Sequence, residues 1–193
     1  MNSRDRILQA VWENKPEEVD LPVLDFTEVI IYEDVVRQFM GMVESAGGSV
    51  VCLDSRNRLE ADLAEAERSG RQTVRLLDPG DGAGLAGLRA SDLEGVQKCY
   101  LRSRLGVAEN GALWLGERDM EHRLVPFICQ ELVLVLDPGE IVGTMHEAYR
   151  RLPPEEGFGV FVAGPSKTAD IEQSLVIGAH GPRSLTVYLI DPV

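Results

Sequence analysis

A chain of 193 residues, 44% apolar and 26% charged, has the length and composition of one globular domain. Its net charge of −13, from 19 basic and 32 acidic residues, sets a mean field that repels phosphate backbones and anionic lipid, so no nucleic-acid partner is expected. No apolar run approaches the roughly 20 residues of a membrane span, and charges stand where a secretion signal needs its apolar core, so a soluble, cytoplasmic protein is expected.

In chain order, residues 3–14 read as a short amphipathic helix with Ile7, Leu8, Val11 and Trp12 on one face, followed by an acidic, proline-bearing linker. Residues 1–22 are thereby set apart from an α/β domain expected over 23–193. Docking of this helix on its own core is the default expectation, and a neighbouring subunit is the alternative. Residues 34–45 form a second expected helix, ended by Gly47-Gly48. A strand over 49–53, a helix over 59–69 closing at Gly70, and a strand over 73–77 follow. This β-α-β rhythm predicts parallel strands joined by right-handed crossovers.

Residues 78–87, DPGDGAGLAG, are a glycine-rich acidic loop without the strand-to-helix setting of a phosphate fingerprint. Strands are expected over 100–104, 111–115 and 131–136, and the last, ELVLVL, is apolar enough to be buried on both faces. Asp137 as N-cap with Pro138 behind it predicts a helix running to about Leu152, stopped by Pro153-Pro154. A strand over 158–163, a helix over 169–177 and a last strand over 185–190 complete the chain.

The densest polar chemistry lies between the last two of those strands, in GPSKTADIEQSLVIGAHGP, residues 164–182. Ligands of open α/β sheets gather where loops leave the carboxyl ends of strands, so a site is expected here. Gly159, Gly164 and Ser166-Lys167-Thr168 imitate a P-loop, but the residues between the glycines are strand-like and Pro165-Ser166 displaces the lysine, which removes that reading. A strand, a turn and a helix start remain, with Gly164, Ser166, Thr168 and Asp170 as ligand contacts or as plain helix caps. His180, between glycines and next to Gly181, is a candidate proton donor or ligand contact, or a histidine bonded to its own loop. Glu109 and Asn110 occupy either a hairpin turn or a ligand-binding turn. Arg123 offers a fork to a carboxylate, or a surface salt bridge. His122, His146 and His180 share no metal-ligand spacing, so no metal is expected. Cys52, Cys99 and Cys129 are single, form no iron–sulfur or zinc motif, suit a reducing compartment, and are expected to be buried and inert.

The C-terminal run AGPSKTADIEQSLVIGAHGPRSLTVYLI, with AENGALWL, RLVPFICQELVLVL and IVGTMHEAY before it in the same order, resembles the LUD-domain proteins, of the LutC/YkgG lactate-utilisation type. The likeness runs from about Leu101 to Ile190. It implies a NagB/RpiA/CoA-transferase-like α/β fold, with a central, mostly parallel sheet flanked by helices. It also implies a cytoplasmic subunit in bacterial oxidation of L-lactate to pyruvate, with no cofactor of its own and with iron–sulfur clusters on partner subunits. A small carboxylate or phosphate is the expected kind of ligand, and a homo-oligomer is left open. No catalytic residue transfers from the family. A free-standing acyl-transfer or isomerase-like enzyme acting on a CoA-linked or phosphorylated acid, with Glu109 or His180 catalytic, is the alternative, and a metabolite-sensing interaction protein is the third reading.

Overall fold

Strands made almost wholly of apolar residues must be covered on both faces, and the chain's five apolar runs of this kind lie side by side. The computed structural model describes residues 2–20, 30–78, 80–82, 84–152, 157–168 and 176–191. In chain order its strands are β1 (Ser49–Val51), β2 (Thr73–Leu76), β3 (Lys98–Arg102), β4 (Leu105–Val107), β5 (Ala112–Gly116), β6 (Glu131–Leu136), β7 (Ile141–Val142), β8 (Gly159–Val162), β9 (Lys167–Thr168), β10 (Val176–Ile177) and β11 (Ser184–Leu189). The helices are α1 (Ser3–Glu13), α2 (Val35–Ser45), α3 (Ser55–Arg68), α4 (Ala90–Leu93), α5 (Glu117–Met120), α6 (Val125–Ile128) and α7 (Met145–Arg151).

The first sheet has the order β1-β11-β6-β3-β2 and every pair in it is parallel. Alternation along its strands divides the core in two. Cys99, Leu101, Leu132, Leu134, Leu136, Val187 and Leu189 pack with Phe39 and Val43 of α2 and with Leu113 and Leu115 of β5. Tyr100, Val133, Val135 and Tyr188 face the other way, onto Leu59 and Ala66 of α3. Phe39, Leu134 and Leu136 are fully buried, and each such side chain contributes about 1.5–3 kcal/mol relative to exposure. At the amino end of β3, Lys98 Nζ bonds Asp62 Oδ1 of α3 at 2.6 Å and stands 3.4 Å from Glu131 Oε2, which ties helix and sheet together.

A second sheet, β7-β4-β5-β8, is built from two excursions that leave the carboxyl ends of β3 and β6. β4 and β5 form an antiparallel hairpin, β5 pairs antiparallel with β8, and β4 pairs parallel with β7. One face of this sheet joins the first core through Leu113, Leu115, Val160 and Val162. The other holds Leu105, Val107, Ala112 and Val142 against Ala148 of α7.

Several expectations are corrected. The run 100–104 is not one strand: β3 ends at Arg102 and β4 starts at Leu105, in different sheets, with the Ser103 N–H bonded to the Val135 carbonyl at the junction. Asp137 does cap, through Oδ1 on the Gly139 N–H at 2.8 Å, but the turn it caps is a 3₁₀ turn over Pro138–Glu140. Ile141 and Val142 then pair with β4, and the helix begins only at Met145, with Thr144 as its cap. The helix expected over 169–177 has residues 169–175 outside the described set, and Val176 and Ile177 form β10, antiparallel to β9, so Lys167 and Thr168 are strand and not helix start. The stretch 158–163 is a strand, but one of the second sheet. α1 does not dock on the core: none of its residues is buried, and Trp12 is 79% exposed. Cys99 and Cys129 are buried, whereas Cys52 is exposed.

Candidate functional site

Every strand of the parallel sheet ends in a charge. Across the sheet, β1 leads to Asp54, β11 to Asp191, β6 to Asp137 and β2 to Asp78, while β3 ends on Arg102. Apolar strands cannot carry ions within the core, so the first positions beyond burial receive them, and at a carboxyl edge they meet the mouths of the loops. A single guanidinium thus stands on a strand end among aspartates.

Three cavities open along this edge, and Arg102 lines all of them. One, of about 500 Å³, lies where the two sheets diverge: Arg102 and Arg104 bracket the β3–β4 junction, Asp137 follows β6, and Leu105, Trp114 and Leu152 supply apolar wall. A second, of about 510 Å³, shares Arg102 and Asp137 and runs beneath the first turns of α3, where Arg56 donates to the Asp191 carbonyl at 3.1 Å. The third, of about 380 Å³, faces the loop after β2.

The charges in these cavities are largely paired. Arg104 Nε reaches both oxygens of Asp119, at 2.8 and 3.0 Å, and Arg151 Nη1 lies 3.4 Å from Glu140. Arg75 is 2.9 Å from Asp78 and 3.6 Å from Asp81. Asp81 also accepts the Leu77 and Asp78 N–H groups, both at 3.0 Å; the backbone bond from Asp78 leads the effects holding its carboxyl below the usual range. Among the described residues, Arg102 donates only through Nε, to the Leu77 carbonyl at 3.0 Å, so both Nη groups are available to a ligand. Ser103 is buried beside it with Oγ 2.9 Å from the Trp114 carbonyl and 3.1 Å from that of Leu105. Asp137 engages one oxygen with Gly139. Among the described residues no group of three or more His, Cys, Asp or Glu side chains is placed to hold a metal ion.

The residues singled out in the sequence lie elsewhere. β8 belongs to the second sheet, so the chain leaving it arrives beside the end of α2 and the amino ends of β1, β6 and β11, opposite the edge just described. Gly164 abuts Ala46, Lys167 Nζ donates to the Ala46 carbonyl at 2.5 Å, and Ser166 bonds Pro182 through its N–H and Gly178 through its carbonyl, both at 2.9 Å. Thr168 pairs with Val176, Gly181 packs near Ser166, and His180 is exposed. Gly164, Ser166, Thr168, His180 and Gly181 are therefore brought to one region, while Asp170 lies outside the described residues. Glu109 and Asn110 form the β4–β5 turn: Glu109 Oε2 accepts the Met145 N–H at 2.8 Å at the start of α7, and Asn110 Oδ1 accepts the Ala112 N–H at 3.0 Å. Arg123 bonds Glu117 at 2.7 Å, holding that carboxyl below its usual range, and lies 5.1 Å from the Phe158 ring centre. None of these residues lines the three carboxyl-edge cavities. Sequence reading missed Arg102 and gave Asp137 only a capping role. The available signal was the recurrence of a charge at the end of each apolar run, SVVCLD, TVRLLD, KCYLR, LVLVLD and TVYLID.

Residues 42–190 match the model of the LUD domain. The chain belongs to the LUD-domain family. Its relatives in that family include lactate utilization protein C of Shouchella clausii, 30% identical over 95 residues, which are 46% of this chain and 42% of that protein. The protein of the same name from Geobacillus kaustophilus is 28% identical over 147 residues, 70% of this chain and 60% of its own length. The chain thus spans about two fifths to three fifths of these curated relatives. A crystal structure of a DUF162 family protein from Deinococcus radiodurans superposes with a TM-score of 0.57 over 83% of this LUD-domain chain and 99% of its own, at 17% identity, a likeness of fold. The α/β class, with a mostly parallel central sheet flanked by helices, is common to both.

Proposed function

We propose that this LUD-domain chain is a cytoplasmic subunit of a bacterial L-lactate utilisation system, oxidising lactate to pyruvate together with partner subunits that carry the iron–sulfur clusters. The observation that carries this reading is the family match over residues 42–190, with relatives named for lactate utilisation. The two-sheet architecture supports assignment to the NagB/RpiA/CoA-transferase-like folds. The cysteines support placing the clusters on partners: such clusters take four protein ligands, and this chain has three thiols, two of them buried and one exposed.

Within that role the carboxyl-edge cleft is the ligand pocket of this chain, and it takes an acid. Its lining sets three arginines against two carboxylates in a protein whose net charge is −13, which supplies the local attraction an anion needs. The alternative of a free-standing enzyme with Glu109 as nucleophile or base is disfavoured, because that carboxylate is already engaged by the Met145 N–H at the start of α7.

Deleting the gene should abolish growth on L-lactate as sole carbon source, and pull-down from lactate-grown cells should recover iron–sulfur partners. Normal growth of the deletion strain, with no second copy to compensate, sinks the reading.

A further inference from the structure

The cleft between the two sheets is larger and greasier than a three-carbon acid requires. Its 500 Å³ falls in the range of pockets that enclose whole drug-sized molecules, and Leu105, Trp114 and Leu152 line it beside the charges. Three features define its complement. First, Arg104 and Arg151 are paired with Asp119 and Glu140, so the cation left to a ligand is the fork of Arg102, which a monocarboxylate matches in charge and shape. A phosphate dianion would overbalance that one cation and face the neighbouring aspartates. Second, Arg102 pairs with Val135 in register, and Asp137, two residues past Val135, is the first residue beyond the end of the adjacent strand. Both residues line the same two cavities, so the Asp137 oxygen not used by Gly139 is the acceptor offered to a hydroxyl on an acid held by Arg102. Third, the indole and the two leucines offer a wall for an apolar or aromatic body.

We infer that this cleft binds a 2-hydroxy monocarboxylate with a bulky apolar or aromatic side chain, its carboxylate on Arg102 and its hydroxyl on Asp137, in preference to lactate itself. The inference rests on the reading of this cleft as the chain's ligand pocket and names the class of acid it takes.

The chain has two tryptophans, and Trp12 is exposed on α1, so W12F leaves Trp114 as the sole indole reporter. The full W12F chain is titrated with L-3-phenyllactate, L-lactate, 3-phenylpropionate and inorganic phosphate, following Trp114 fluorescence, with calorimetry on the unmodified chain as the second readout. Phenyllactate is expected to bind at least tenfold tighter than lactate, and phosphate not to compete. R102Q should weaken phenyllactate at least tenfold; R102K, which keeps the charge and loses the fork, should weaken it severalfold. D137A, which removes the acceptor, should reduce phenyllactate to the affinity of 3-phenylpropionate, and L152S should weaken phenyllactate while leaving lactate unchanged. Thermal unfolding of each variant checks that it is folded.

Equal affinity for lactate and phenyllactate, binding indifferent to R102Q in a folded chain, competition by phosphate, or no acid bound at all would each overturn the inference. A deletion strain that grows normally on L-lactate fails the pathway reading and leaves the titrations standing. A failed titration beside a lactate growth defect does the reverse.

Discussion

At φ +74°, with the Ala46 carbonyl occupying the space a Cβ would enter, Gly164 has a packing reason to be glycine that is independent of any ligand. G164A should cost on the order of 2–3 kcal/mol, since backbone strain and a steric clash combine, and a shift in the denaturation midpoint measures it. Asp81 illustrates a second kind of residue, a carboxylate held by two backbone N–H groups and a nearby arginine. Its folded pKa is lowered from 3.8, so its contribution to stability is present above that value and is lost as pH falls through the lowered one. D81N should therefore lower the melting temperature at neutral pH, and the gap from the unmodified chain should close on acidification; a gap constant across the titration would refute the assignment. Local chemistry misled the sequence reading at such positions for a simple reason. Ser166 and Thr168 look like helix caps, and only the pairing of Thr168 with Val176 places them at an antiparallel strand pair, a contact that no local pattern encodes.

Among the elements, those dominated by burial were the most legible. β6, apolar from Leu132 onward, starts and ends where its composition says, and α2 keeps its apolar stripe from Val35 to Val43 against the core. Elements whose identity depends on a partner were not. Arg102-Ser103-Arg104 continues the alternation of β3, so the change of sheet is invisible until Ser103 is seen bonded to Val135 and Trp114. The Asp137-Pro138-Gly139 start signal is real but serves a single 3₁₀ turn. The true start, Thr144 with Glu147 three residues on, has both side chains bonded to backbone N–H groups. The candidate site followed the same divide: its strand ends were visible, but assigning β8 to the wrong sheet moved attention to the opposite edge. α1 stands apart, because its apolar residues Ile7, Leu8, Val11 and Trp12 are all exposed. Removing residues 1–14 should change the melting temperature by no more than about 2 °C, and a larger fall would mean that the helix is integrated with the domain.

On the scale of the whole molecule, the three cysteines report on global integrity. Cys52 is exposed; a hydrogen bond with Cys129, aided by burial, pushes the Cys99 thiol up, and both buried thiols sit in the main core. A thiol reagent at neutral pH should label one cysteine per native chain quickly and three after denaturation, with the slow pair following the rate of global unfolding. Rapid labelling of two or three in the native state would contradict this packing.

The strand order also bears on how the chain is made. β11, the last strand, is inserted between β1 and β6, with Val50 beside Val187 and Leu134 on its other side. While the ribosome is still adding those residues, β1 has no neighbour and β6 has an open flank of unpaired backbone. Completion of the sheet must therefore wait for β11 to emerge, and a nascent chain stalled before Ser184 carries an apolar seam that a holding chaperone would recognise.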